Sequence, residues 1–234
     1  MAVKTRNRMA NLDGEHVAEA APRSKAAAPT RQEVKITAPN LQTAVFNIVG
    51  ETPYMQHRFS QKALLKMRAK QEAGSQATKG TKRQPRDFDS DYEESRYVSS
   101  EGWLGMPAPA FRSAMISACR LVGFKMTMAK LSIFILADGF DRADAKPLVK
   151  IIGKPERTEM PMRNDNGGVD IRVRPMWREW SCALRVQFDP DQFSLPDVTN
   201  LLLRAGQQVG VGEGRNDSRN CAGIGFGKFG IGNK

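Results

Sequence analysis

The stretch VGVGEGRNDSRNCAGIGFGKFGI, residues 209–231, decides how the end of this chain folds. Nine of the 20 glycines lie between Gly206 and Gly232. Glycine loses more backbone freedom on folding than any other residue, so such a stretch serves as a flexible tail, as tight turns, or as a loop whose backbone approaches a ligand. Apolar residues alternate with these glycines, which is atypical of a flexible tail. We therefore predict that GEGRNDSRN forms a turn and GIGFGKFGI the last strand.

No cofactor follows from this glycine-rich segment. The Gly-Lys-Ser/Thr ending of a phosphate-binding P-loop is missing, and the predicted helix precedes the glycines instead of following them. Three scattered cysteines, Cys119, Cys182 and Cys221, match neither a disulfide framework nor a paired metal-ligand spacing. We accordingly predict no cofactor and no metal site, and we expect a reducing, cytoplasmic location.

The composition is that of a folded protein with a basic surface. The chain has 234 residues, 40% of them hydrophobic, and its 36 Lys and Arg outnumber its 25 Asp and Glu to give a net charge of +11. This length and hydrophobic content support a core, and the charge favours a polyanionic partner such as single-stranded RNA or DNA. The longest apolar run, residues 131–137, falls far short of the roughly 20 residues that span a bilayer, so no membrane partner is expected.

Charge and hydrophobic periodicity divide the chain into three parts. Residues 1–33 lack periodicity and are predicted to be a disordered arm, whereas residues 34–234 are predicted to form one domain. Within that domain, residues 74–101 read as a long, mobile, charged insertion. Its basic half, with Lys82 and Arg83, is either a clamp over a polyanion or one side of a self-neutralising loop. Its acidic half is interpreted as solvated charge in preference to a magnesium site.

The remaining periodicity predicts an α+β fold. Residues 43–50 read as a buried strand, residues 105–123 contain a core helix, and a helix over 194–206 begins at an N-capping Ser194 and ends at Gly206. Between them lie several strands, of which VDIRVR places Arg172 and Arg174 on an outer, cationic face. This order predicts an antiparallel sheet with helices on one face, of the split β-α-β kind.

Three motifs together resemble a known family. A C-terminal glycine-rich loop that brackets basic residues follows a helix, GETPYMQHRFS is similar to an early TPLxxG-like turn, and GMPAPAFRSAMISACR is similar to an IPGSSLKGALRSAAR-like helix start. In this order, over about a third of the chain, they resemble the RAMP (repeat-associated mysterious protein) superfamily, which supplies backbone and processing subunits of CRISPR effector complexes. The pattern is also similar to phage and prophage proteins, which suggests a bacterial or phage-infected host cell.

The resemblance implies a ferredoxin-like (RRM-like) core that binds single-stranded RNA along a basic groove and stacks head to tail into a homo-oligomer or filament. Carried onto this sequence, it implies binding roles for Arg112, Ser113 and Arg120 on the core helix, and for Arg215, Arg219 and Lys228 in the glycine-rich segment. The glycines that would bring backbone N–H groups to a nucleic acid are Gly210, Gly212, Gly214, Gly223, Gly225 and Gly227. Candidates for stacking on bases are Tyr54, Phe59, Trp177 and Trp180, although core packing is the favoured interpretation of the two tryptophans.

His57 is the one candidate catalytic residue. It stands beside Arg58, a pair that could supply a general acid or base and a phosphate contact to a metal-independent ribonuclease. Our first functional interpretation is nevertheless a non-enzymatic protein that binds single-stranded nucleic acid, with RNA favoured over DNA through the resemblance alone. The alternatives are an RNA endonuclease centred on His57, and a phage assembly or host-interaction protein without a nucleic-acid role.

Overall fold

A computed structural model describes residues 36–59, 61–72, 74, 85–163, 168–218 and 223–232. The chain divides into two units, Met1–Ala38 and Pro39–Lys234. The predicted N-terminal arm, together with Lys82, Arg83 and Arg219, lies outside the described residues. The helices and strands of the described ranges all belong to the second unit.

The described residues form strands and helices in mixed order along the chain. The strands are β1 (Gln42–Gly50), β2 (Tyr54–Met55), β3 (Gly105–Pro107), β4 (Ile133–Leu136), β5 (Gly139–Phe140), β6 (Pro147–Lys150), β7 (Glu156–Arg163), β8 (Val169–Trp177), β9 (Ser181–Phe188) and β10 (Phe229–Ile231). The helices are α1 (Gln61–Glu72), α2 (Phe88–Glu94), α3 (Ala108–Ala118), α4 (Met126–Ser132) and α5 (Leu195–Arg204). The predicted α+β class is confirmed.

The largest sheet has four strands in the order β10-β1-β9-β4, and all neighbours are antiparallel. Along the chain, α3 lies between β1 and β4, and α5 lies between β9 and β10. Two three-stranded sheets, β2-β8-β7 and β3-β6-β5, are built from the segments between these elements. The connectivity of the large sheet and its two helices is therefore β-α-β-β-α-β.

The helices cover one face of the large sheet. Phe46 and Ile48 of β1 and Leu184 of β9 are buried with Phe111 of α3 and Leu202 of α5 in one cluster. The intervening residues of β1 point the other way, since Val45 and Val49 are 64% and 46% exposed. Strand alternation thus places one apolar face against the helices, as the sequence predicts.

Helix α5 begins as predicted, but the helical path of the chain continues beyond the predicted end. Ser194 and Asp197 form a reciprocal capping box at its start. Gly206 does not end it, because the chain continues through a wider π-helical turn, Ala205–Val209, and stops at Gly210, whose φ is +78°. A Cβ atom at Gly206 would lie 2.1 Å from the carbonyl oxygen of Phe229, so this glycine permits β10 to pack against the turn.

The second half of the predicted insertion is ordered. Residues 85–101 contain α2, capped by Asp87, and Tyr97, which is 6% exposed. Some acidic side chains here are paired with arginines: Asp91 accepts from Arg86 at 2.5 Å, and Asp89 contacts Arg157. The side chain of Asp89 is nevertheless 83% exposed, so its charge is solvated, as predicted for this acidic half.

Two further predictions concern the burial of Trp177 and Trp180 and the two faces of strand β8. Trp177 and Trp180 are 0% and 3% exposed and contact the Tyr54 ring, which confirms core packing. VDIRVR forms part of strand β8 as predicted, but its two faces are not divided as predicted. Arg174, predicted to lie on the outer face, is 7% exposed and pairs with Glu213, whereas Val169, an apolar residue of the opposite face, is 67% exposed.

Substituting Gly227 tests how closely the C-terminal segment packs. Gly227 and Gly123 share a φ of +68°, but a Cβ atom at Gly227 would lie 1.7 Å from the Val211 carbonyl oxygen, whereas at Gly123 it would meet open space. We expect Gly123→Ala to cost about 1–2 kcal/mol through the left-handed backbone alone. Gly227→Ala adds a clash with backbone and should cost about 3 kcal/mol or more.

Urea denaturation of both variants measures the difference in the free energy of unfolding. Equal costs would show that the segment around Gly227 is not closely packed against Val211.

Candidate nucleic-acid interface

Backbone hydrogen bonds fix the glycine-rich segment against the stretch that follows β1. The amides of Glu51 and Thr52 donate to the carbonyl of Lys228 at 2.9 and 3.3 Å, and the amide of Gly227 donates to Pro53 at 2.8 Å. The amide of Glu213 donates to Met55 at 2.9 Å. The described part of the segment is therefore packed against the residues that follow β1.

On one side of the glycine-rich segment, Glu213 lies close to two arginines and a histidine. Its carboxylate accepts hydrogen bonds from Arg172 at 2.7 Å and from Arg174 at 3.1 Å, and one oxygen lies 3.9 Å from Nδ1 of His57. Arg172 and Arg174 share a face of β8 because they are two residues apart, and β2 leads directly to His57. The cluster combines three predicted site residues with an acidic residue that was not predicted.

The surroundings of His57 lower its pKa. Burial lowers the pKa of His57, and Arg174 and Arg172 lower it further, against the opposing effect of Glu213. Near pH 7 the imidazole can therefore accept a hydrogen bond or a proton, while the two guanidinium groups supply positive charge beside it.

A cleft opens on the other side of the glycine-rich segment, against α3. It encloses roughly 270 Å³, and its polar lining includes Ser113 and Ser117 of α3 and Arg215 and Asp217 of the segment. Arg215 is positioned by a hydrogen bond from Nη1 to the carbonyl of Gly212, at 3.0 Å. Ser113 and Arg215, both predicted from the resemblance, thus border the same cleft.

Asp217 links the glycine-rich segment to Arg120, which lies in the helical turn directly after α3. Both of its carboxylate oxygens accept from Nη2 of Arg120 at 2.8 Å. Burial alone would raise the pKa of Asp217, but hydrogen bonds from Arg120 and Ser117 outweigh it and lower the pKa. The carboxylate stays ionised and holds the exposed Arg120 beside the cleft.

Three other predicted residues make contacts that belong to the fold itself. Arg58 is 7% exposed, lies 3.3 Å from Asp141 and places its guanidinium carbon 5.9 Å from the Tyr97 ring centre, so it is buried within the fold. Arg112 donates to the carbonyl of Ile133 at 2.9 Å and ties α3 to β4. Lys228 is anchored through its backbone to Thr52.

The predicted glycines serve the packing of the segment itself. All six have positive φ values, from +68° at Gly227 to +88° at Gly225. A Cβ atom at Gly212 would lie 2.6 Å from the carbonyl oxygen of Met55. Their first role is to let the chain turn tightly and pass close to its own backbone.

Glu213 and Asp217 are site residues that the sequence patterns did not reveal. They are the two acidic residues within a segment otherwise selected for its cations, and that isolation is the signal that could have found them. A carboxylate among arginines that share one surface is expected to pair with them.

Comparison with known proteins finds no matching family model and no matching curated protein. Among the described residues, no group of His, Cys, Asp or Glu side chains could hold a metal ion. No helix in the described ranges is long and apolar enough to cross a membrane.

Substitution of Glu213 tests the charge balance of the cluster. Glu213 opposes the two arginines that depress the pKa of His57, so Glu213→Gln should lower that pKa further by leaving more positive charge beside the imidazole. Asp217→Asn, on the other side of the segment, should leave it unchanged.

An NMR titration of the His57 ring protons, assigned by their loss in His57→Gln, gives both values. A rise in the pKa of His57 in Glu213→Gln would contradict this charge balance.

Proposed function

We propose that this protein binds single-stranded nucleic acid, RNA in preference to DNA, along the two sides of its glycine-rich segment. The observation that carries the proposal is the convergence of four guanidinium groups on that segment, where Glu213 and Asp217 hold three of them and the carbonyl of Gly212 holds the fourth. These arginines come from the α3 region, from β8 and from the segment itself: Arg120, Arg172, Arg174 and Arg215. The excess of cations favours a polyanion, and the open cleft beside Ser113 gives a strand access.

The carboxylates support binding by arranging the arginines in advance. A guanidinium group has five N–H donors, and Arg120 commits Nη2 to Asp217 and Nε to Ser117, leaving further donors. A side chain already held in one rotamer loses less conformational entropy when a phosphate binds. Glu213 and Asp217 therefore lower the cost of contacting a phosphodiester chain.

The connectivity of the large sheet supports the family resemblance. The order β10-β1-β9-β4 with a helix after β1 and another after β9 is compatible with a ferredoxin-like core. On this basis we extend the proposal to head-to-tail assembly along the strand and to a cytoplasmic setting. Buried thiols at Cys119 and Cys182 suit a reducing compartment.

A second candidate function is metal-independent RNA cleavage at His57. The neutral imidazole, 3.9 Å from Glu213 and flanked by Arg172 and Arg174, is the specific observation that favours it. Such a histidine can take a proton from a ribose hydroxyl while the guanidinium groups stabilise charge on the phosphorus oxygens.

Salt dependence tests the binding proposal. In a titration of affinity for a single-stranded RNA oligomer against salt, each phosphate contact contributes about −0.7 to the slope of log K against log salt. We expect Arg215→Ala to make the slope shallower by roughly that amount. The matched control is Arg178→Ala, which removes the same charge from an exposed position paired with Glu156.

If Arg215→Ala and Arg178→Ala change the slope equally, the cleft is not the binding site. If neither the parent protein nor the variants bind RNA or DNA oligomers in low salt, the phage assembly or host-interaction alternative replaces the proposal.

Cleavage is tested with a labelled RNA oligomer in the presence of EDTA. The second candidate requires products from the parent protein and none from His57→Gln, with both proteins binding the oligomer equally. An intact oligomer after prolonged incubation with parent protein would leave binding as the function of this surface.

A further inference from the structure

We propose that a second cavity, built around Trp103, receives a base of the bound strand by stacking. This inference rests on the proposed function, because it assigns a nucleobase subsite to the same ligand. The cavity encloses roughly 520 Å³ and is lined by Glu101, Trp103, Asp138, Lys150, Ile152 and Ala183. None of these residues belongs to the interface along the glycine-rich segment.

The cavity lies where two sheets meet. Ala183 is on the face of the large sheet opposite the helices, whereas Lys150 ends β6 of the sheet β3-β6-β5. Backbone hydrogen bonds between Ile152 and Ser181, of 2.8 and 3.0 Å, join the two sheets at this point. Strands β6 and β9 therefore form part of its wall, and Glu101, Trp103 and Asp138 reach it from connecting loops.

Trp103 is positioned by close contacts at the wall of this cavity. Its six-membered ring lies against two glycines, since a Cβ atom at Gly105 would lie 3.0 Å from Cζ3 and one at Gly139 would lie 2.7 Å from Cζ2. Its indole N–H donates to Glu101 at 3.1 Å. A ring fixed in this way loses little freedom when a planar ligand stacks on it, and stacking on an aromatic side chain accepts any base.

The exposure of Trp103 distinguishes it from the other tryptophans. Trp177 and Trp180 are buried, whereas Trp103 is half-buried and reaches the cavity. Ile152, which is 61% exposed, adds an apolar side chain, and Lys150 offers a cation for a phosphate or sugar oxygen of the same nucleotide.

The carboxylates favour bases that carry an amino group. Glu101 and Asp138 line the cavity and can accept hydrogen bonds but not donate them while ionised. Cytosine presents an amino donor where uracil presents a carbonyl acceptor, although the two rings have the same size. The cavity should therefore prefer cytosine to uracil.

The experiment compares tryptophan emission with strand binding in the full-length protein. A fluorescein-labelled ten-residue oligocytidylate reports binding by anisotropy, and the unlabelled oligomer is used to follow emission. We expect the oligomer to quench emission at the concentrations that produce binding, and the quench to be absent in Trp103→Phe. Trp103→Leu should weaken binding about fivefold or more, the lower limit expected from losing one stacked base.

A second variant tests the cavity even if Trp103→Leu does not fold. Ala183→Leu narrows the cavity without altering Trp103 and should also weaken binding. Its control is Thr43→Leu, which adds an apolar side chain at an exposed position of β1, outside the cavity.

The outcomes separate this inference from the proposed function. Binding without a change in tryptophan emission, or unchanged affinity in both Trp103→Leu and Ala183→Leu while Arg215→Ala weakens binding, overturns the Trp103 subsite and leaves the interface intact. Absence of binding to any oligomer overturns both. Equal affinity for oligocytidylate and oligouridylate overturns the role of the carboxylates.

Discussion

The fold depends on the return of the C-terminal segment to the stretch that follows the first strand. Backbone hydrogen bonds from Glu51, Thr52 and Gly227 close this contact between the two ends of the folded unit. Because β10 is an edge strand of only three residues, these additional bonds and the packing of Phe229 on Phe111 hold it in the sheet. The same return brings Glu213 to β8 and Arg215 to α3, so the candidate interface exists only when the sheet is complete.

Glu213 links stability to the chemistry of the surface. Arg174 is nearly buried, and a buried guanidinium without a partner is strongly destabilising, so the pairing with Glu213 stabilises the fold. It also limits the positive potential that a phosphate would meet. Two arginine side chains nevertheless remain accessible. That of Arg172 is 22% exposed, and that of Arg120 is 55% exposed although it pairs with Asp217. The interface therefore offers guanidinium groups that are fixed in place but still reachable.

Local patterns allowed parts of this structure to be predicted from the sequence. The capping box of α5, the alternation in β9 and the apolar face of α3 are determined by residues a few positions apart. Arg58 could not be assigned in this way, because its partner Asp141 is distant in the sequence and only the fold brings the two together. For the same reason, charge in the sequence identified Arg172 and Arg174 as candidates but not the carboxylate that holds them. The position of Trp103 depends on Gly105 and on the distant Gly139, and no local pattern reveals it.

The cations of this chain fall into two groups, those outside the described ranges and the arginines held in place on the described surface. More than half of the net charge of +11 belongs to residues outside the described ranges, including Lys82, Arg83 and Arg219. Counterion release depends mainly on how many cations meet the phosphates, and little on their geometry. The described surface has few excess cations, but it fixes Arg120, Arg172 and Arg215 in defined positions. On the proposed function, the outlying cations would supply most of the salt-dependent attraction, and the glycine-rich segment would set where along the protein the strand lies.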